Sequence, residues 1–169
     1  LPLALLQIRR GAKTGIEGVT ICVMLLAVLM GPLRGPLVLF PYGLLSLWLG
    51  YSWQKGWNWW LSWSVGVSIG TMGFLVRVFV LSVLVGENLW VILTRAGSRL
   101  IEKGIDTFNL AFTPDMTQVQ IVAILLIITQ EIVYVLCLHA LAYWIFPRLK
   151  SSIPEPPALI ENLISIKPN

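Results

Sequence analysis

Three ionisable side chains lie inside long apolar runs of this sequence: Arg77, Glu131 and His139. A charged group at the centre of a bilayer costs about 2.5–3.5 kcal/mol on insertion scales, so such residues face a partner, a bundle interior or a cavity. Arg77 and Glu131 belong to runs that should cross in opposite directions, and we predict that they meet. The contact would be either an ion pair that fixes helix register or the polar floor of a ligand cavity.

Glu131 and His139 share the segment AILLIITQEIVYVLCLHALAYWIF, residues 123–146. Eight residues separate them, which is about 12 Å along a helix, so a proton relay through both would need intervening water. Neighbouring polar side chains could add hydrogen bonds, and Arg77 favours an anionic group such as a carboxylate or phosphate. The predicted ligand-binding residues are Arg77, Gln130, Glu131, Tyr134 and Trp90.

The composition indicates an integral membrane protein. Of 169 residues, 57% are hydrophobic and only 12% are charged, against about 25% charged in a typical soluble domain. The sequence has no Walker A, HExxH, CxxC or GxSxG motif, and we expect neither an enzyme nor a metal site. The net charge of +4 is split among short loops, which argues against nucleic-acid binding. Cys22 and Cys137 lie in apolar runs and are expected to be buried.

We predict an all-α, polytopic helix bundle over residues 1–150 and a Pro-rich cytoplasmic tail over 151–169. About four full spans are expected, over residues 15–30, 37–53, 61–85 and 117–146, after the end of an earlier helix at 1–8. Pro41 lies near the start of the second span, and Thr117 with Gln120 would form a capping box for the last. Because the sequence begins within an apolar run, further spans are expected upstream, for a total of six.

Residues 87–110 alternate apolar and charged positions at helical spacing. This pattern predicts one amphipathic helix, either in the plane of the membrane interface or packed on the bundle. Basic residues cluster in the loops of one side, and the excess of Lys and Arg marks the cytoplasmic side of a membrane protein. The C-terminus should therefore be cytoplasmic and the amphipathic helix outside.

Small residues recur four apart at Ser62, Gly66 and Gly70, and again at Gly11 and Gly15. This spacing lets helix backbones approach closely. The stripe predicts packing within the bundle or a docking face for a partner membrane subunit. His139 could instead ligate the magnesium of a chlorophyll, although a lone histidine is more often only hydrogen-bonded.

Two stretches carry a family resemblance: LMGPLRGPLVLFPYGLLSLWLG and GTMGFLVRVFVLSVLVGENLW, followed by the IPEPP of the tail. With them, most of the chain resembles an uncharacterised family of cyanobacterial membrane proteins. The first fifty residues also resemble the S-components of energy-coupling-factor (ECF) transporters. That resemblance implies a six-helix bundle that binds a vitamin or metal near the outer face and docks on a coupling subunit carrying ATPases.

Two functions follow as expectations. The first is a small-molecule-binding subunit of an ECF-type importer, in the plasma membrane. The second is a non-catalytic accessory or assembly subunit of a larger membrane complex, which could be a photosynthetic complex in a thylakoid membrane. No cofactor is expected, although chlorophyll or a lipid could be bound under the second function.

Overall fold

The computed structural model describes residues 1–32, 34–107, 115–151 and 153–157. These residues form helices and no strand, so the all-α prediction is confirmed. A wide turn with π-helical hydrogen bonds at Leu39–Gly43 interrupts the chain, and a 3₁₀ turn follows at Pro147–Leu149. The α-helices are α1 Pro2–Arg10, α2 Ala12–Met30, α3 Arg34–Val38, α4 Leu44–Gln54, α5 Trp59–Val85, α6 Leu89–Thr107 and α7 Met116–Ile145.

Within the described residues, three helices are long and apolar enough to cross a membrane: α2, α5 and α7. The expected count of about four full spans is therefore wrong, because the expected span at residues 37–53 is not one continuous helix. The remaining segment is broken into α3, the wide turn and α4, because Pro41 cannot donate a ladder hydrogen bond and disfavours helical geometry at Phe40. Phe40 accordingly takes φ −108° and ψ 117°.

The helices form an antiparallel arrangement around small contact residues. Gly11 takes a positive φ of 94°, a conformation that favours glycine, and it reverses the chain between α1 and α2. Gln7 of α1 then lies against Gly15 of α2. Helix α4 packs on α1, α2 and α5, and α5 packs on α7. The interior is small and apolar, and its buried members are Ala4, Leu45, Leu49, Trp53, Val135, Ala142 and Phe146.

The outer surfaces of the long helices are apolar. Val28 is 83% exposed and Phe79 is 69% exposed. Contiguous apolar surface of this extent faces lipid rather than water, so the chain is a multi-pass membrane protein.

Helix α6 packs against both α5 and α7. Its buried contact residue is Thr94, whereas Ile92 and Leu93 are exposed. The helix is thus attached to the bundle by one face and presents apolar side chains on another. The end of the amphipathic pattern at residues 108–110 and most of the tail, at 152 and 158–169, lie outside the described residues.

Helix α7 begins earlier than predicted. Asp115 is its N-cap, and Gln118 accepts the Asp115 backbone N–H at 3.1 Å, which completes a capping box. The expected box of Thr117 with Gln120 is therefore wrong by two residues, since Asp115 already satisfies the first N–H groups of the helix.

Candidate functional site

Arg77 lines a cavity of 480 Å³ between α2, the α3–α4 break and α5. Among the described residues, its guanidinium has no hydrogen-bond or ion-pair partner. The other described lining residues are apolar apart from the Tyr42 hydroxyl, so the guanidinium is the one charged group that they supply. Its other lining residues are Leu26, Met30, Leu37, Val38, Tyr42 and Leu81.

The predicted contact between Arg77 and Glu131 is not formed. The Glu131 carboxylate lies against Gly70, so close that a Cβ placed on Gly70 would be 2.3 Å from Oε2. Arg77 follows Gly70 by seven residues, which is about 10 Å further along α5. The register between α5 and α7 therefore separates the two charges.

Glu131 is 6% exposed, and its buried Oε2 atom has no hydrogen-bond partner among the residues that the structure describes. A buried carboxyl oxygen without a donor is costly. The side chain packs in the space that Gly70 of α5 leaves open, because a Cβ at Gly70 would collide with the carboxyl group. Glu131 thus lies in the α5–α7 contact, and it is absent from the wall of the Arg77 cavity.

The other predicted ligand-binding residues are distributed around the bundle. Gln130 is exposed on α7. Tyr134 packs edge-on against Tyr42 with ring centroids 6.3 Å apart, so Tyr42 connects it to the Arg77 cavity. Trp90 lines a separate cavity of 340 Å³ between α5, α6 and α7. Tyr134 is thus linked to the Arg77 cavity by its contact with Tyr42. Gln130 and Trp90 do not line that cavity.

Tyr42 is the site residue that sequence reasoning missed. The available signal was its position directly after Pro41, because a broken helix inside a membrane bundle commonly lines a cavity. The wide turn directs this tyrosine between the Arg77 cavity and Tyr134.

The small-residue stripe of α5 is covered by α7. His139 bonds to Ser62, Val135 packs on Gly66, and Glu131 packs on Gly70. These contacts repeat every four residues along two antiparallel helices. The surface of Ser62, Gly66 and Gly70 is buried inside the molecule, as is Gly15 beside Gln7, and Gly11 forms the turn between α1 and α2.

His139 is fully buried between two tryptophans, with ring centroids 5.2 Å from Trp53 and 4.8 Å from Trp59. Its Nδ1–H donates to the Val135 carbonyl at 2.9 Å. In the neutral ring Nε2 then accepts from the Ser62 hydroxyl at 3.0 Å, and Ser52 lies 2.8 Å from that hydroxyl. Both ring nitrogens are engaged, so a chlorophyll magnesium would have to displace Ser62.

Among the described residues, no three His, Cys, Asp or Glu side chains come together in a way that could hold a metal ion. The prediction that both cysteines are buried is wrong, because Cys137 is exposed on α7 and Cys22 is only half-buried on α2.

Comparison with known proteins gives one match. No curated protein and no solved structure matches the chain. A family model described as a predicted membrane protein (DUF2232) matches residues 1–162. That match covers nearly the whole sequence and agrees with the three apolar helices found here. The chain therefore belongs to the DUF2232 family of membrane proteins.

Proposed function

We propose that this protein is the membrane-embedded, small-molecule-binding subunit of an importer of the ECF type. One observation carries the proposal: Arg77, which has no hydrogen-bond or ion-pair partner among the described residues, lines an apolar cavity of 480 Å³ within the membrane-spanning part of the molecule. An ionisable residue in such a position is a functional-site candidate by default. The volume falls in the range of about 300–1,000 Å³ that is typical of ligand pockets.

The cavity chemistry favours a ligand with an anionic end and an apolar body. The guanidinium can bind a carboxylate or phosphate with two parallel hydrogen bonds, while the aliphatic walls would hold the remainder. A vitamin-like carboxylic acid has this character. The sequence supports a partner with ATPase subunits, because it resembles S-components and carries no nucleotide-binding motif of its own.

The test is native mass spectrometry of the protein extracted gently from its own membrane. We expect a small anionic molecule to be retained by the wild type and by Arg95→Ala, and to be lost from Arg77→Ala. Arg95 is a matched control because it is an exposed arginine on α6. Arg77→Lys should retain the molecule weakly, since lysine keeps the charge but not the bidentate geometry.

Several outcomes would decide between the two functions. Comigrating ATPase subunits would support the importer. If Arg77→Ala retains the same molecule as the wild type, the proposed site is wrong. A large pigment-containing assembly with no bound small molecule would instead favour an accessory subunit of a membrane complex.

A further inference from the structure

A second cavity, of 730 Å³, lies at the end of the bundle where three chain segments meet. The end of α1 contributes Arg9, the α4–α5 loop contributes Lys55, and the segment after α7 contributes Lys150. Among the described residues, no acidic side chain lines this cavity. Glu155, the nearest acid in the described part of the tail, is exposed and outside it. The site therefore concentrates three positive charges from distant parts of the sequence.

Arg9 connects the end of α1 to the segment after α7 by hydrogen bonds. Its Nη2 donates to the Leu149 carbonyl, and its Nε–H lies 3.4 Å from the Ser151 hydroxyl. A guanidinium has five N–H donors, so others remain for a ligand. The lysines are exposed and, among the described residues, neither ammonium has a hydrogen-bond or ion-pair partner. Both are free to bind an anion.

Lys150 follows the last helical turn and lines the cavity. It takes φ 56° and ψ 35°, a left-handed conformation. Glycine or asparagine is usual at such a position, because a Cβ is strained there. A glycine at this position would therefore remove the ammonium without straining the backbone.

We propose that this basic cavity binds a phosphate-bearing anion. Phosphate suits three clustered cations, because it carries up to two charges and several acceptor oxygens. At the end of a membrane bundle, the phosphate could belong to the headgroup of an anionic phospholipid or to a soluble compound. Basic pockets between transmembrane helices commonly bind such headgroups. This inference concerns a site separate from the Arg77 cavity and does not depend on it.

The experiment uses native mass spectrometry of the whole chain, purified in neutral detergent and titrated with phosphatidylglycerol, phosphatidylcholine or inorganic pyrophosphate. The variant is Lys55→Gln with Lys150→Gly. The matched control is Lys13→Gln with Arg95→Gln, which removes two exposed charges that do not line the cavity. Lys150→Gly relieves the left-handed strain, so the variant should keep its thermal stability while it loses its ligand.

We expect the wild type and the control to bind phosphatidylglycerol but not phosphatidylcholine. The double variant should bind it roughly 25-fold more weakly, from about fivefold for each lysine. If pyrophosphate binds with the same dependence on the two lysines and displaces the lipid, the source is a soluble phosphate compound. If pyrophosphate does not bind in this way or does not displace the lipid, the source is the lipid headgroup.

Equal affinity of the wild type, the double variant and the control for both probes would overturn the proposal. So would the absence of binding by either probe. Circular dichroism and the thermal midpoint of each variant show that a loss of binding is not a loss of fold.

Discussion

At the scale of single residues, three buried polar side chains each pack against small residues of neighbouring helices. Gln7 fits between Gly15 and Gly50, and Glu131 fits against Gly70. His139 reaches Ser62. A glycine or serine leaves room for the polar group without pushing the helices apart. The arrangement explains how a thin bundle with few core residues encloses polar groups that lipid would reject.

Of the three, His139 has the most complete hydrogen bonding, and this yields a prediction for Ser62→Ala. The change removes the donor to His139 Nε2 and also the partner of the Ser52 hydroxyl. Leaving a buried acceptor unsatisfied costs about 1–3 kcal/mol. We therefore expect the free energy of unfolding in detergent, followed by circular dichroism, to fall by that amount.

The control for this prediction is Ser68→Ala. Its hydroxyl donates to the Ser64 carbonyl within α5 and is exposed, so the change should stay within about 0.5 kcal/mol. A similar loss for both variants would show that the His139 network contributes nothing beyond the local effect of a serine in a helix.

At the scale of elements, the break between α3 and α4 depends on close packing with α5. A Cβ added at Gly73 would lie 2.5 Å from the Cβ of Pro41 and 2.7 Å from its Cα. These are atoms of the backbone and of a rigid ring, so they cannot move aside as a long side chain can. Gly73 is what allows α5 to approach the broken segment that carries Tyr42.

Gly73→Ala should therefore destabilise the bundle by about 1–3 kcal/mol, the usual penalty of overpacking. Gly97→Ala on α6 is the comparison, because its nearest neighbour would be the Val119 Cγ1 at 3.9 Å. That change should be neutral, or stabilising by up to about 1 kcal/mol through helix propensity. The thermal midpoint of both variants measures the difference, and equal midpoints would contradict the close packing described here.

The helices also show which parts of the fold could be predicted from the sequence. The length of the apolar runs was enough to predict α2, α5 and α7. The run at 37–53 was predicted as a full span in the same way, and the break at Pro41 was missed. The start of α7 was ambiguous, since Asp115 with Gln118 and Thr117 with Gln120 both have capping-box spacing. The extended backbone of Asp115 in the folded chain decides between them.

The relation of Arg77 to Glu131 could not be read from spacing alone. Small residues every four positions on α5 and the series 131, 135 and 139 on α7 were both visible. How the two series align, however, is a property of tertiary packing. The observed alignment puts Glu131 beside Gly70, one and a half to two turns short of Arg77, and so the carboxylate and the guanidinium occupy different environments.

At the scale of the whole molecule, the bundle has two chemically different ends. The basic end gathers the turn at Gly11, the loop after α4 and the segment after α7, as the shared cavity of Arg9, Lys55 and Lys150 shows. The opposite end carries the start of α6 and the turn after α2. The Arg77 cavity lies toward this second end, because Met30 and Leu37, which flank that turn, line it.

This asymmetry predicts the orientation of the protein, with the basic end in the cytoplasm. The measurement is labelling of single cysteines by a membrane-impermeant maleimide, in a background with Cys22→Ala and Cys137→Ala. Both reporter positions, Lys13 and Glu87, are exposed at opposite ends. Glu87→Cys should be labelled in intact cells, and Lys13→Cys only after permeabilisation.

Each reporter is the control for the other, because the two differ only in the end of the bundle that they mark. The labelling pattern also bears on the proposed uptake role. An importer must receive its substrate from outside, so the Arg77 cavity has to lie toward that side. The inverted pattern, with Lys13→Cys labelled in intact cells, would place this cavity toward the cytoplasm and would contradict both the orientation and the capture of a ligand from outside.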